Sequence, residues 1–235
     1  MKHGRVLVLL VAVLVLGMVG VAIARVSAQR SGDTLTITGT DGADHITLEV
    51  VPGVADPNVP FFAISDPGGV TNVPQGCFRF DANTIHCPVS LIKHFVFDLG
   101  GGDDELLVEA DLLVPIMGDG GPGDDRLQGA RRADQLAGDA GDDDLDGRGG
   151  GDIREGGAGD DKLRPSAGND VERGGGGNDL VSGGPGNDKE NGGAGRDVVI
   201  GGAGRDQLDG GPDRDRCNGG PGNDTDRRCE IGVNY

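Results

Sequence analysis

The chain has no tryptophan, one tyrosine (Tyr235) and six phenylalanines, all of them between residues 61 and 97. An aromatic core is therefore confined to that stretch, and something else must hold the second half together. The four histidines (His3, His45, His86 and His94) form no His-Glu-x-x-His pair, so the common zinc-hydrolase helix is excluded. His45, His86 and His94 read instead as strand-surface histidines. The four cysteines include no Cys-x-x-Cys pair, which argues against a thiolate zinc site. No Gly-x-Ser-x-Gly elbow and no Gly-x-x-x-x-Gly-Lys-Ser/Thr loop is present. Acids outnumber bases 39 to 21, and a net charge of −18 disfavours a nucleic-acid partner. Beyond residue 24 no apolar run is long enough to span a bilayer. With no catalytic constellation, the chain reads as a non-enzyme.

What the chain has is glycine, 47 residues of it, and a register. Twelve aspartates stand nine residues apart: Asp125, Asp134, Asp143, Asp152, Asp161, Asp170, Asp179, Asp188, Asp197, Asp206, Asp215 and Asp224. Each closes a glycine-rich hexapeptide such as Gly156-Gly157-Ala158-Gly159-Asp160-Asp161. Glycine holds the first of the nine places except at Pro165, and the fourth except at Arg132 and Asp213. Residues 120–227 are thus twelve unbroken nonapeptides of the form G-G-x-G-x-D-x-L-x. A Gly/Asp-rich disordered tail is the competing reading. Chance would place twelve aspartates in one phase in about one case in ten million, so the register argues against it.

Six glycine-rich residues make a tight turn and three make a short strand. Two repeats then make one coil of about eighteen residues, with a strand on each of two sheets and coils about 4.8 Å apart. Repeats n and n+2 stack turn on turn, which brings their aspartates and backbone carbonyls together. Such a cage of hard oxygens suits Ca²⁺. Six turns per edge bound the count at about ten sites, with weak gaps at Arg132, Pro165 and Asp213. Stacked carboxylates repel without a counter-ion and the repeats hold little apolar surface. The expectation is a chain that expands without Ca²⁺ and folds with it.

These nonapeptides resemble the hemolysin-type calcium-binding repeats of the RTX (repeats-in-toxin) family. The resemblance is strong over 120–227. It extends weakly to Leu99–Leu107, where Asp104 takes the aspartate place, and to Gly39–Thr47, where Asp44 does. It implies an all-β fold: a right-handed parallel β-roll, Ca²⁺ between stacked turns, and an extracellular home. The sixth-place aspartates, here Asp104 and the twelve named above, would be its side-chain ligands. Many members carry a large toxin or enzyme domain ahead of the repeats. Nothing of that size precedes them here, so those functions do not transfer.

The eighth place should be apolar and inward. Odd repeats obey, with Leu127, Leu145, Leu163, Val181, Val199 and Cys217. Even repeats carry Leu136, Arg154, Glu172, Glu190, Leu208 and Asp226. Ile153 and Val171 sit one place early, so the even sheet either slips by one residue or buries Arg154 beside Glu172 as an ion pair. The even sheet near 154–190 is expected to be the soft part of the roll. At the fifth place, Arg196, Arg205 and Arg214 would form a basic patch if that place faces solvent.

Residues 1–28 read as an export signal. Lys2, His3 and Arg5 precede an apolar or small run from Val6 to Ala24, and Val26-Ser27-Ala28 offers small residues before Gln29. An uncleaved anchor is the alternative. Without residues 1–28 the net charge is −21. Cysteine pairing within the local pairs, Cys77 with Cys87 and Cys217 with Cys229, is expected, each closing a short loop and worth about 3 kcal/mol. The second would tie the C-terminal residues 228–235 over the open end of the roll as a cap. Residues 29–119 have alternating strands at Thr34–Thr38 and His45–Val51, with others at Phe61–Ile64, Phe78–Phe80 and Leu91–Leu99. They read as a small β module with degenerate repeats that caps the roll at its N-terminal end.

The expected function is a secreted, non-catalytic calcium-binding repeat protein. Its partners would be calcium ions and cell-envelope or extracellular-matrix components, with no membrane span after signal cleavage. The alternative is an adhesin or carbohydrate-binding surface protein that binds through 29–119, with the roll as spacer.

Overall fold

The computed structural model describes residues 26–52, 60–108 and 112–232. Residues 1–25 of the expected export signal lie outside the described residues. Among the described residues every element is a strand, apart from one 3-10 turn at Val89–Leu91. The architecture is a right-handed parallel β-roll.

The nine-residue period explains the two sheets. A strand, a turn, a second strand and a second turn use eighteen residues, so strand n pairs with strand n+2 in parallel. The observed registers have that offset: Leu127 pairs with Leu145 and Leu136 with Arg154. Even repeats form one ten-stranded sheet. It runs Ser27–Ser31, Thr34–Thr40, His94–Gly100, Ile116–Pro122, Gln135–Ala140, Ile153–Ala158, Val171–Gly176, Lys189–Ala194, Gln207–Asp209 and Thr225–Arg227. Odd repeats form a twelve-stranded sheet. From the C-terminal end its roll strands are Ile231–Gly232, Arg216–Asn218, Val198–Gly204, Leu180–Gly186, Lys162–Leu163, Asp144–Asp146 and Arg126–Gln128. It continues through Glu105–Val108 and His45–Val51 to Phe61–Ser65, Thr84–Pro88 and Phe78–Arg79.

The N-terminal segment is therefore the start of the same solenoid. Thr34–Thr40 and His45–Val51 make its first coil; His94–Gly100 and Glu105–Val108 make its second. Between them the chain leaves the stack as antiparallel strands, with Leu48 opposite Ile64 and Ile64 opposite Ile85. This segment holds most of the apolar core, including Phe62, Phe95 and Phe97. Cys77 and Cys87 have sulfurs 2.06 Å apart there. At the other end, Cys217 and Cys229 are 1.92 Å apart. Ile231–Gly232 pairs with Arg216–Asn218, so the tail covers the last odd strand. The last even strand, Thr225–Arg227, has no further neighbour among the described residues.

Eleven of the twelve eighth-place side chains are buried, the exception being exposed Asp226 in that last strand. The even sheet does not slip. Ile153 pairs with Val171 and Ile153 faces outward at 43% exposure, while Arg154 and Glu172 are paired and fully buried. The guanidinium of Arg154 donates to Glu172, to the carbonyl of Arg164 and, at 3.0 Å, to Ser166 Oγ. Keeping the register preserves every backbone pair of the sheet, and a one-residue slip would expose the whole inner face. Removing one partner leaves the other charge buried and alone. Arg154→Leu should cost about 3 kcal/mol, and Arg154→Leu with Glu172→Leu should recover most of it, read by urea unfolding in Ca²⁺.

Two surface expectations are corrected. His86 is not a strand-surface residue. It is 6% exposed and boxed by Phe61, Phe78 and Phe80, the last stacked on it at 4.6 Å. Burial holds its pKa below the ordinary histidine value. The three fifth-place arginines are exposed but form no single patch. Arg196 and Arg214 belong to repeats of the odd sheet and Arg205 to one of the even sheet, so they ride opposite turns. Arg214 pairs with Glu230 at 2.9 Å.

Candidate metal centres

Each turn uses glycine for two different reasons. The second and fourth places need positive φ, as at Gly175 (φ +125°) and Gly177 (φ +143°). At three positions that lose glycine the backbone keeps the conformation, with φ of 76°, 64° and 87° at Asp139, Arg148 and Asp213, whereas Ala130, Arg132 and Ser166 do not have positive φ. The first place needs room. A Cβ on Gly138 would stand 2.1 Å from Asp143 Oδ2 and 2.6 Å from the Gly156 carbonyl oxygen. On Gly174 it would meet Asp179 Oδ2 and the Gly192 carbonyl, each at 2.3 Å. Glycine there opens a space bounded by a carboxylate oxygen and a carbonyl oxygen from the next coil.

The aspartates that face these spaces form two ladders. On the odd edge stand Asp104, Asp125, Asp143, Asp161, Asp179, Asp197 and Asp215, extended upstream by Asp44. On the even edge stand Asp134, Asp152, Asp170, Asp188, Asp206 and Asp224. Asp104 and the eleven from Asp125 to Asp215 are at most 2% exposed; Asp224 is half-buried. In each ladder Oδ1 accepts the backbone N–H of the aspartate one coil earlier. Asp125 donates to Asp143 at 2.8 Å and Asp188 to Asp206 at 3.0 Å. The structure thus brings every expected ligand into one of two rows.

The second carboxylate oxygen decides what a row can hold. Oδ2 has no hydrogen-bond partner in Asp104, Asp125, Asp143, Asp152, Asp161, Asp179, Asp188, Asp197, Asp206 and Asp215. A buried unpaired carboxylate oxygen is costly and calls for a cation or a proton. Carboxylate and carbonyl oxygens around a glycine-sized space fit Ca²⁺, a hard cation served by six to eight oxygens. Two acids differ. Asp134 Oδ2 accepts the Ala130 N–H at 2.6 Å. Asp170 Oδ2 accepts Ser166 Oγ–H at 2.7 Å and lies 3.6 Å from the Arg154 guanidinium. In both repeats the second-place glycine is missing, replaced by Ala130 and Ser166. Protein donors already satisfy these two oxygens.

Burial pushes several of these acids up, and neighbouring carboxylates add to it for all of them except Asp134. Asp104, Asp143, Asp152 and Asp179 rise to about 7, and Asp125, Asp134, Asp161 and Asp188 to about 6. A raised carboxylate favours the metal-free fold while protonated. That stability is complete below the unfolded value near 4 and is lost as pH rises through 6 to 7, roughly 3–4 kcal/mol per acid. In EDTA the chain should therefore show more β signal by circular dichroism at pH 4.5 than at pH 8. Equal spectra at the two pH values would refute this.

The fifth place carries a further row that the sequence did not disclose. Asp142 donates its N–H to Asp124 Oδ1, Asp160 to Asp142 and Asn178 to Asp160, at 2.9, 2.7 and 2.7 Å. These side chains bond coil to coil and stay exposed. Among the described residues one other acidic grouping stands out: Asp188, Glu190 and Asp206 bring carboxylate oxygens within 4.8 Å of one another.

Comparison with known proteins agrees with the geometry. Residues 119–153, 155–190 and 191–226 match a family model described as RTX calcium-binding nonapeptide repeat (4 copies). No curated protein and no solved structure matches the chain.

Proposed function

Residues 119–226 are RTX calcium-binding nonapeptide repeats, and from that premise we propose that this is a secreted protein whose roll folds on binding Ca²⁺ and serves a non-catalytic structural or interaction role. The observation that carries the reading is the second carboxylate oxygen, left without a partner in ten stacked aspartates and, in all of them but Asp104, aimed at a space that a first-place glycine leaves open. Those ten, Asp104, Asp125, Asp143, Asp152, Asp161, Asp179, Asp188, Asp197, Asp206 and Asp215, are the proposed ligands. Asp134 and Asp170 contribute to the ladder more than to a metal, and Asp224 ends its row. Export fits the basic start and the apolar run from Val6 to Ala24. Outside the cell Ca²⁺ is abundant, so metal and fold arrive together.

The test is circular dichroism of the chain during a Ca²⁺ titration with Mg²⁺ as control. A cooperative gain of β signal with Ca²⁺ alone is expected, because Mg²⁺ demands tighter octahedral geometry and sheds water reluctantly. No change with either ion would defeat the proposal.

A second reading has one observation in its favour. Phe78 and Phe80 are exposed at 39% and 57% in the N-terminal segment, and Phe80 lies flat on His86. A flat exposed ring is the kind of surface that stacks on a sugar. If this segment binds glycans, a glycan array probed with the full chain gives signal that Phe80→Ala removes while the Ca²⁺ response stays intact.

A further inference from the structure

Glu190 holds an eighth place, where the pattern calls for an aliphatic side chain inside the roll. It is 2% exposed, and neither of its carboxylate oxygens accepts a hydrogen bond from another residue. Its even-sheet neighbours are Glu172 on one side and Leu208 on the other. Arg154 already serves Glu172, and among the described residues no cationic side chain pairs with Glu190. Glu190 leans toward the turn instead. Over Gly183, the point where a Cβ would stand is 2.4 Å from Glu190 Oε1 and 2.6 Å from Asp188 Oδ2. A carboxylate oxygen of Asp206, whose Oδ2 is also unpartnered, completes a group within 4.8 Å.

We propose that Glu190 is a third, interior carboxylate ligand at the Asp188–Asp206 gap, and that this gap is the highest-affinity Ca²⁺ site of the chain. The inference rests on the calcium reading and adds to it a ligand outside the nine-residue pattern. Elsewhere on the rows a cation meets aspartates and backbone carbonyls. Here it gains one more negative charge, delivered from a buried strand position that is already fixed. Affinity of oxygen-ligand calcium sites rises with the number of charged ligands and with rigidity. The interior placement also removes the strongest objection to Glu190 in a core, since coordination supplies the partner its oxygens lack.

The rival occupant is a proton, and glutamine imitates it. Equilibrium dialysis with ⁴⁵Ca²⁺ on the wild-type chain, Glu190→Gln and Glu190→Leu separates the two. The expected result is a tightest class of about one ion in the wild type, weakened at least about tenfold in both variants while the remaining sites keep their affinity. A tightest class unchanged in Glu190→Gln overturns the proposal. A wild-type chain that binds no Ca²⁺ defeats the calcium reading itself, which is a separate outcome. Should either variant fail to fold, wild-type crystals taken through partial chelation give the same decision. A retained ion touching Glu190 supports the site, and retained ions only at other gaps overturn it.

Val26 and Ala28 support a second inference on independent grounds. Both are buried in the apolar core, at 0% and 2% exposure. Ala28 pairs with Ile37. The Val26 carbonyl accepts the Thr71 N–H at 2.9 Å and the Thr71 hydroxyl at 3.1 Å, which ties down the loop after Phe61–Ser65. A cut before Gln29 would discard these contacts, remove two buried core side chains and leave part of the edge of Thr34–Thr40 unpaired. We infer that the exported chain is cut after Ala24, where Ala22-Ile23-Ala24 places small residues one and three positions before the bond. The inference rests on the export reading. Intact mass and N-terminal sequencing of the exported protein decide it. A start at Arg25 is expected, a start at Gln29 overturns the cut site alone, and an uncut chain overturns cleavage altogether.

Discussion

Chelating Ca²⁺ should swell the repeat segment from a radius of gyration of about 13 Å to about 33 Å, the values for a compact and an unfolded chain of its length. The cause is the ratio of charge to apolar surface in each coil. An eighteen-residue coil buries one or two aliphatic side chains, such as Leu163 or Val181, and two or more carboxylates. Unscreened aspartates one coil apart repel by about 3 kcal/mol per neighbour at an effective dielectric of about 20. Removing the metal releases that repulsion along two rows at once. The first two coils should remain, because Phe62, Phe95, Phe97 and the Cys77–Cys87 bridge hold them without any ion. Small-angle scattering in Ca²⁺ and then in excess EGTA reads the change. A curve that does not move would show that the coils stand without metal.

A single methyl group should be nearly as damaging at one glycine and harmless at the next. Gly175 has φ +125°, and a Cβ there would lie 2.0 Å from the Gly157 carbonyl oxygen of the preceding coil. Neither the oxygen nor the strand that carries it can retreat, since both belong to the ladder. Gly175→Ala therefore adds backbone strain to a clash with backbone, about 4 kcal/mol together. Gly176 sits beside it with nothing within 4 Å of its would-be Cβ. Gly176→Ala should fall within about 0.5 kcal/mol of the wild type. Urea unfolding in saturating Ca²⁺ measures both. Similar losses at the two positions would mean that flexibility of the chain, and not the close approach of coils, explains the glycine.

The period carried most of the architecture. Twelve aspartates in phase were enough to read two sheets, an eighteen-residue coil and two rows of acids, because a solenoid repeats its local contacts. Asp104 and Asp44 were legible as weak outliers, and both extend the odd row. Arg154 could not be placed, since a slipped strand and a buried ion pair are both compatible with its spacing; only the paired register chooses. The capped oxygens of Asp134 and Asp170 follow second-place Ala130 and Ser166, but glycine is also lost at Asp139 and Arg148 without capping Asp143 or Asp152, so the loss alone does not announce the cap. Glu190 had no signal, because nothing in the period says that an inward acid leans toward the turn. His86 was misplaced for a similar reason. Its three aromatic neighbours come from two segments of the antiparallel excursion, Phe61–Ser65 and the strand Phe78–Arg79 with Phe80 after it, and the excursion has no repeat to announce it. The basic patch failed on parity, as odd and even repeats cannot share an edge.

The ladders also run one way. A sixth-place amide is closed by the acid of the coil that follows it, and a fifth-place amide docks on a side chain of the coil before it. A newly made coil thus finds its acceptors waiting on the finished stack and, in docking, completes the coil beneath it. A coil added at the other end would do the same with the two roles exchanged, so every inner layer is closed by both of its neighbours and only the end layers keep amides or acids unmet.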